Sequence, residues 1–287
     1  MIVRALLVAV FLLVAWSLFV SVLPEELGWE APLWNENVTA GQDFLYGDPV
    51  AAGDIVVLGS SLAERLPLDS LAGRPVTKLT FGGQGVQDGL ALLEATGTVP
   101  GVVLVEANLL NLPPNPAFAK TLLHPVGRSL NRYVPAFRQG NQPATVLMGG
   151  LYYLKNGPPT TDSVTVDNDR PVNEAMLDLR RADYAVPFPE EELRTELGAV
   201  RKQLEVLRKR GARVIFFELP VHPALCGTVR TEGMRSAVRA IFPSPDYVLL
   251  GQPDCAAFLT TDGHHLRPVA ARRYASLLDR ELREILR

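Results

Sequence analysis

The chain has 287 residues, 47% hydrophobic and 21% charged, with a formal net charge of −3. That is enough chain for a sizeable core in one large or two small domains, and too apolar for a disordered protein. With charge near balance and no Lys/Arg block, a nucleic-acid footprint is excluded.

The first segment, "ALLVAVFLLVAWSLFVSVL" from Ala5 to Leu23, carries no charge. A bilayer core takes about 20 apolar residues of helix, so this stretch is long enough to span. Arg4 precedes it, and Glu25 and Glu26 follow. A positive flank stays cytoplasmic. The reading is a single-pass anchor in the inner membrane, with a cytoplasmic N-terminus and the bulk of the chain periplasmic or extracellular. A cleaved signal peptide has a shorter apolar region and a small-x-small site, which "SVLPEELGW" offers poorly. Residues 24–48, rich in Pro, Trp and Asn, read as a connector.

A regular rhythm then begins. "DIVVLGSS" is a short apolar run ending in Gly, as a fully buried strand would be. "LAERLPLDSL" has mixed helical character, and "VTKLTF" is a second strand ending in "GGQG". "VQDGLALLEAT" is helix-like, and "GVVLVEAN" is a third strand. From about Leu112 to Phe188 the rhythm stops, and this stretch reads as a loop-rich insertion. Within it, "GRSLNRYVPAFRQ" (Gly127 to Gln139) is basic and aromatic, either an ordinary solvated face or a contact for an anionic polymer or headgroup.

The helix "PEEELRTELGAVRKQLEVLRKRG" has acids at its start, bases at its end and Gly211 just beyond, an order that suits the helix dipole. Leu193, Leu197, Val200, Leu204 and Leu207 form its apolar stripe. "ARVIFFELP" and "DYVLL" are further strands. The final helix has Pro268 in its first turn, and Tyr274, Leu277, Leu278, Leu282 and Ile285 as its inner face. Strands alternating with helices predict an α/β fold with a mostly parallel sheet. Ligands of such sheets bind beyond the carboxyl ends of the strands.

The polar residues gather at those ends. Ser60 and Ser61 follow the first strand, glycines the second and Asn108 the third; "LTTDGHHLRP" precedes the last helix. That stretch holds two of the four histidines in the chain, directly behind a carboxylate. A serine nucleophile needs a base, the base needs an orienting acid, and the oxyanion needs N–H donors. Each type is present. Taken singly, Ser61 is also a plausible helix cap, Asn108 a turn former, Gly85 a turn glycine and Asp262 a cap for the final helix. No G-x-G-x-x-G follows a strand, and neither a P-loop nor the G-x-S-x-G elbow is present. The histidines lack metal-ligand spacing. No cofactor and no metal are implied. Cys226 and Cys255 either pair in an oxidising compartment or are two small buried hydrophobes.

In order and wording these blocks resemble the SGNH hydrolases, the superfamily of GDSL-type esterases and acyltransferases. Its G-D-S-L corresponds to Gly59-Ser60-Ser61-Leu62, its second-strand glycine to Gly85 with Gly83 as runner-up, and its G-x-N-D to Glu106-Ala107-Asn108-Leu109. Its D-x-x-H is "DGHH". The resemblance covers about Asp54 to Arg287 without the insertion. It implies a three-layer sandwich of flavodoxin-like type over residues 49–287, with Ser61 as nucleophile, His265 as base, Asp262 as orienting acid, and Gly85 and Asn108 in the oxyanion hole. His222 and His264 are candidates for substrate contact, with His264 more simply solvent-exposed.

The chain departs from the family at Ser60, Glu106 and Leu109. These departures resemble the membrane-anchored branch that modifies cell-surface polymers, alginate-type O-acetyltransferases among them. The resemblance therefore implies an esterase or O-acyltransferase acting on acyl, chiefly acetyl, esters of an envelope polysaccharide, with a multispanning acyltransferase as partner. The reading from a different class is a non-catalytic glycan-binding or assembly protein of the envelope.

Overall fold

The structure, a computed structural model, describes residues 1–23, 32–157 and 171–287. Positions 24–31 of the connector, with Glu25 and Glu26, and positions 158–170 of the insertion lie outside the described residues. In chain order the elements begin with helices α1 (Ile2–Val20) and α2 (Leu33–Tyr46). Then come β1 (Ile55–Gly59), the short α3 (Ser61–Glu64), β2 (Ser70–Leu71), β3 (Arg74–Thr80), α4 (Val86–Thr96) and β4 (Val102–Glu106). Helices α5 (Pro116–Leu123), α6 (Pro125–Tyr133) and α7 (Pro143–Asn156) follow. The remainder is α8 (Glu174–Tyr184), α9 (Glu190–Lys209), β5 (Arg213–Phe217), α10 (Pro223–Cys226), α11 (Val229–Ile241), β6 (Val248–Leu249) and α12 (Pro268–Ile285).

These elements form two units. One comprises the described residues of Met1–Asp48 and Pro116–Ser163, and is helical. Its α1 is 19 residues of high hydropathy, long and apolar enough to cross a membrane. Trp16 Nε1 of α1 donates to the Asn141 carbonyl at 2.8 Å. The Gln139 N–H donates to Oε1 of the buried Gln42 in α2 at 2.7 Å. Trp34 meets Phe118 edge to face at 6.1 Å.

Two expectations change here. Residues 24–48 are not all connector, since α2 occupies Leu33–Tyr46. The described residues of the span 112–188 are largely helical: they contain α5 to α7 in this unit and α8 in the other. The physical reason is proline position. Pro125 and Pro143 sit in the first turn of their helices, where a missing N–H costs nothing, and Pro116 opens α5.

The second unit, Pro49–Asn115 with the residues from Val164 to Arg287, carries the sheet. Its strand order is β2-β3-β1-β4-β5-β6, with β2 antiparallel to β3 and the other pairings parallel. Apart from the edge strand β2, this is the 2-1-3-4-5 order of doubly wound sheets. Strands β1 and β4 are buried at every position, as strands covered on both faces must be.

Ile55, Val57, Leu104, Ile215 and Phe217 pack with Tyr274, Leu278 and Leu282 of α12. Side chains alternate along a strand, so Leu58 and Phe216 face the other layer. There, Gly89 of α4 lies so close that a Cβ would meet Leu58 Cδ2 at 2.9 Å, and Phe216 packs on Phe242 at 4.5 Å. The buried residues of α9 are the five of the sequence stripe. On α12 the buried set shifts toward Ala271 and Ala275, and Leu277 and Ile285 are only half-buried. Cys226 and Cys255 form a disulfide, with a Cα–Cα separation of 6.3 Å.

Candidate active site

The sheet order decides which strand ends become neighbours. β1 lies between β3 and β4. Ser61 after β1 is therefore flanked by the glycine turn after β3 on one side and by Asn108 after β4 on the other. This is the crevice where the winding direction reverses, the place such sheets bind ligands.

Ser61 Oγ lies 3.0 Å from His265 Nε2. His265 Nδ1 lies 2.7 Å from Asp262 Oδ2. An ionised carboxylate can only accept, so Nδ1 carries the proton and Nε2 accepts from the serine hydroxyl. Asp262 Oδ1 also accepts the backbone N–H of His264 at 3.1 Å and of His265 at 2.9 Å. Burial alone would raise this carboxyl; the bonds from the His265 ring and from the two N–H groups, with the imidazole charge, outweigh it and hold Asp262 far below the usual carboxylate range. Gly263 makes the turn possible. Its φ is +92°, and a Cβ there would meet Leu177 Cδ1 at 2.9 Å.

Beneath the serine sits a carboxylate whose role the sequence alone did not reveal. Glu106, at the end of β4, is fully buried. It accepts the Ser60 N–H at 2.8 Å, the Ser60 hydroxyl at 2.9 Å and the Ala63 N–H at 3.2 Å. Burial pushes its carboxyl up, against the pull of these bonds and of the nearby His265. Gly59 is required for this approach, because a Cβ there would meet Glu106 Oε2 at 2.7 Å. The one available signal was an acid closing an otherwise apolar buried strand, since such an acid needs donors.

Of the N–H groups from Ser60 to Ala63, those of Ser60 and Ala63 go to Glu106 and that of Leu62 to Ser60 Oγ. Glu106→Ala is expected to leave the Ser60 and Ala63 N–H groups without their acceptor and open a void, costing about 3 kcal/mol of stability. Glu106→Gln keeps an acceptor at Oε2 and presents an amide N–H to Ser60 Oγ, and should stay within about 1 kcal/mol. Denaturant melts of the two variants measure the difference.

The other candidates are placed as follows. Gly85 caps α4, and its N–H reaches Asp88 Oδ2 at 3.4 Å. A Cβ at Gly85 would meet the Leu112 carbonyl at 2.7 Å. Gly83 sits at a φ of +70° in the same turn. Asn108 pairs with the Leu219 backbone: its amide donates to the carbonyl at 2.9 Å, and its Oδ1 accepts the N–H at 2.7 Å. An amide nitrogen has two hydrogens, so one remains for another acceptor.

His222 is half-buried, and its Nδ1 accepts the Ala224 N–H to cap α10. Its own N–H donates to the Gly263 carbonyl at 2.8 Å, tying it to the Asp262 turn.

His264 is not solvent-exposed. It is 5% exposed and packs edge to face on Tyr184 at 5.0 Å. Burial, then the Arg180 charge, lowers its pKa to about 4. The unfolded imidazole takes a proton near pH 6.5 and the folded one only near 4, so stability contributed above 6.5 is lost as pH falls through that window. The loss at this group is about 3 kcal/mol. His264→Phe keeps the ring contact and should flatten the pH 4–7 stability profile relative to wild type, as followed by thermal unfolding.

No protein-family model matches the sequence, and no curated protein shows significant similarity to it.

Proposed function

We propose that this chain is a membrane-anchored, extracytoplasmic serine esterase or O-acyltransferase of the SGNH type, acting on acyl esters of a cell-envelope polysaccharide. The observation that carries the reading is the hydrogen-bonded chain from Ser61 through His265 to Asp262 at the switch point of the sheet. In the proposed reaction Ser61 Oγ attacks the acyl carbonyl while His265 Nε2 takes its proton. Asp262 holds the tautomer and stabilises the imidazolium. The Ser61 and Gly85 backbone N–H groups and the second hydrogen of the Asn108 amide would hold the oxyanion. For this, the Gly85 N–H leaves a long bond to Asp88. His265 then protonates the leaving alcohol, and water or a sugar hydroxyl resolves the acyl-enzyme.

The anchor reading rests on α1 and on Arg4 ahead of it. By the resemblance, the acyl group is acetyl and a multispanning acyltransferase delivers it; that step is analogy of fold. The test is turnover of p-nitrophenyl acetate by the full-length protein, with and without short acetyl-accepting oligosaccharides. Acetate release that gives way to acetylated sugar identifies a transferase, and release indifferent to sugar identifies an esterase. Equal background rates for wild type and Ser61→Ala, on ester and native polymer alike, would sink the enzyme reading in favour of a glycan-binding protein.

A further inference from the structure

A cavity of about 400 Å³ lies at the carboxyl ends of β4, β5 and β6, and the chemistry described above does not use it. Its wall includes Phe216, Phe217, Val221, Met234, Val238 and Phe242. The charges in that wall are occupied or face water. Arg235 is bound by Glu218 and Glu232. Arg230 lies over the Phe188 ring at 4.6 Å and donates to the Val186 carbonyl, and Arg239 is exposed. The interior therefore suits an uncharged apolar group.

Two walls of this cavity touch the candidate active site. Asn108, the proposed oxyanion donor, lines it. So does Tyr184, whose ring packs on His264, the neighbour of His265. β4 is the strand next to β1, so Asn108 follows a strand about 4.8 Å from the one that leads into Ser61. At roughly 30 Å³ per heavy atom, the cavity takes on the order of ten to thirteen heavy atoms. An acetyl group has three.

The geometry points to an acyl-chain site: in place of the acetyl that the resemblance implies, the group transferred through Ser61 is a medium-chain acyl, of about eight to twelve carbons by the same volume, with its chain lying in this cavity. The inference rests on the acyl-transfer reading and names its substrate class. The bond changes are those already given. The chain is a passenger on the acyl carbon, and its burial raises the affinity of every state that contains it.

Each buried methylene multiplies affinity about three- to fourfold. With the full-length protein in lipid nanodiscs, kcat/KM should rise at least about 100-fold from p-nitrophenyl acetate to the octanoate, short of the full six-methylene gain. Val238→Trp and, on a separate turn of α11, Met234→Trp should collapse the octanoate-to-acetate ratio toward one; melting curves show that each variant is folded. A ratio near one in wild type, or one that neither tryptophan changes, overturns the inference.

Binding separates it from the catalytic reading. Octanoate binding to Ser61→Ala, measured by calorimetry against empty nanodiscs, should be saturable and weakened at least tenfold by Val238→Trp. If octanoate binds in this way but no ester turns over, the catalytic reading fails and the acyl-chain site stands as a binding site. If acetate turns over in a Ser61-dependent way while octanoate neither binds nor reacts faster, the catalytic reading stands and the acyl-chain site is overturned.

Discussion

Ser61→Ala is expected to lower ester turnover by about 10⁴- to 10⁶-fold, and adding His265→Ala to it should cost almost nothing more. The reason is the 3.0 Å contact between Oγ and Nε2. A serine hydroxyl at its ordinary acidity is a poor nucleophile and needs its proton taken as it attacks. Once either partner is gone, the other has nothing to act on. Residual rates then reflect binding and oxyanion donors alone, so the two losses do not add. Steady-state kinetics of wild type, both single variants and the double variant measure this. Additive losses, or full activity in Ser61→Ala, would rule out the proposed pair. Neither change should affect the fold much. Ser61 starts the four-residue α3, and the capping bond to Leu62 comes from Ser60 instead.

Asp262→Asn should cost about 10⁴ in kcat while leaving the turn intact. The asparagine Oδ1 can still accept the N–H groups of His264 and His265, which hold the turn in the native protein. Its amide, however, offers a donor to Nδ1 where the carboxylate offered an acceptor. The imidazole then moves its proton to Nε2, and the serine loses its base. The same substitution should lower stability above about pH 4, where the ionised carboxylate contributes, and leave it unchanged at strongly acid pH. Asp262 is held below its ordinary value of 3.8, so it stabilises the fold above that value and the contribution is lost as pH falls below it. The asparagine variant should lack this acid-side loss. A kcat that survives the substitution would mean that another group orients His265.

Much of the sheet was legible because its strands are short, wholly apolar and stopped by glycine or a polar residue. "DIVVLG" and "GVVLVE" could bury themselves only as central strands, and they became β1 and β4. The α9 stripe was legible for a similar reason, since helical spacing records which face meets the sheet. The region from 112 to 188 was not legible, because prolines that open helices look like prolines that break them. α11 lacks an apolar stripe strong enough to announce it, with only Met234 and Val238 buried.

The sequence by itself determined the kinds of groups at the strand ends: a serine, glycines, an asparagine and an acid–histidine turn. It did so because these residues stand next to apolar runs whose placement hydrophobic burial dictates. Only the tertiary structure decided which of them meet. The distance from Ser61 to His265, the cradle that Glu106 makes for Ser60, the pairing of Asn108 with Leu219, the burial of His264 on Tyr184 and the Cys226–Cys255 bond all join residues far apart in the chain. Local pattern carries no record of such pairings. They follow from strand order and layer packing, which put β1 between β3 and β4 and folded the final turn over them.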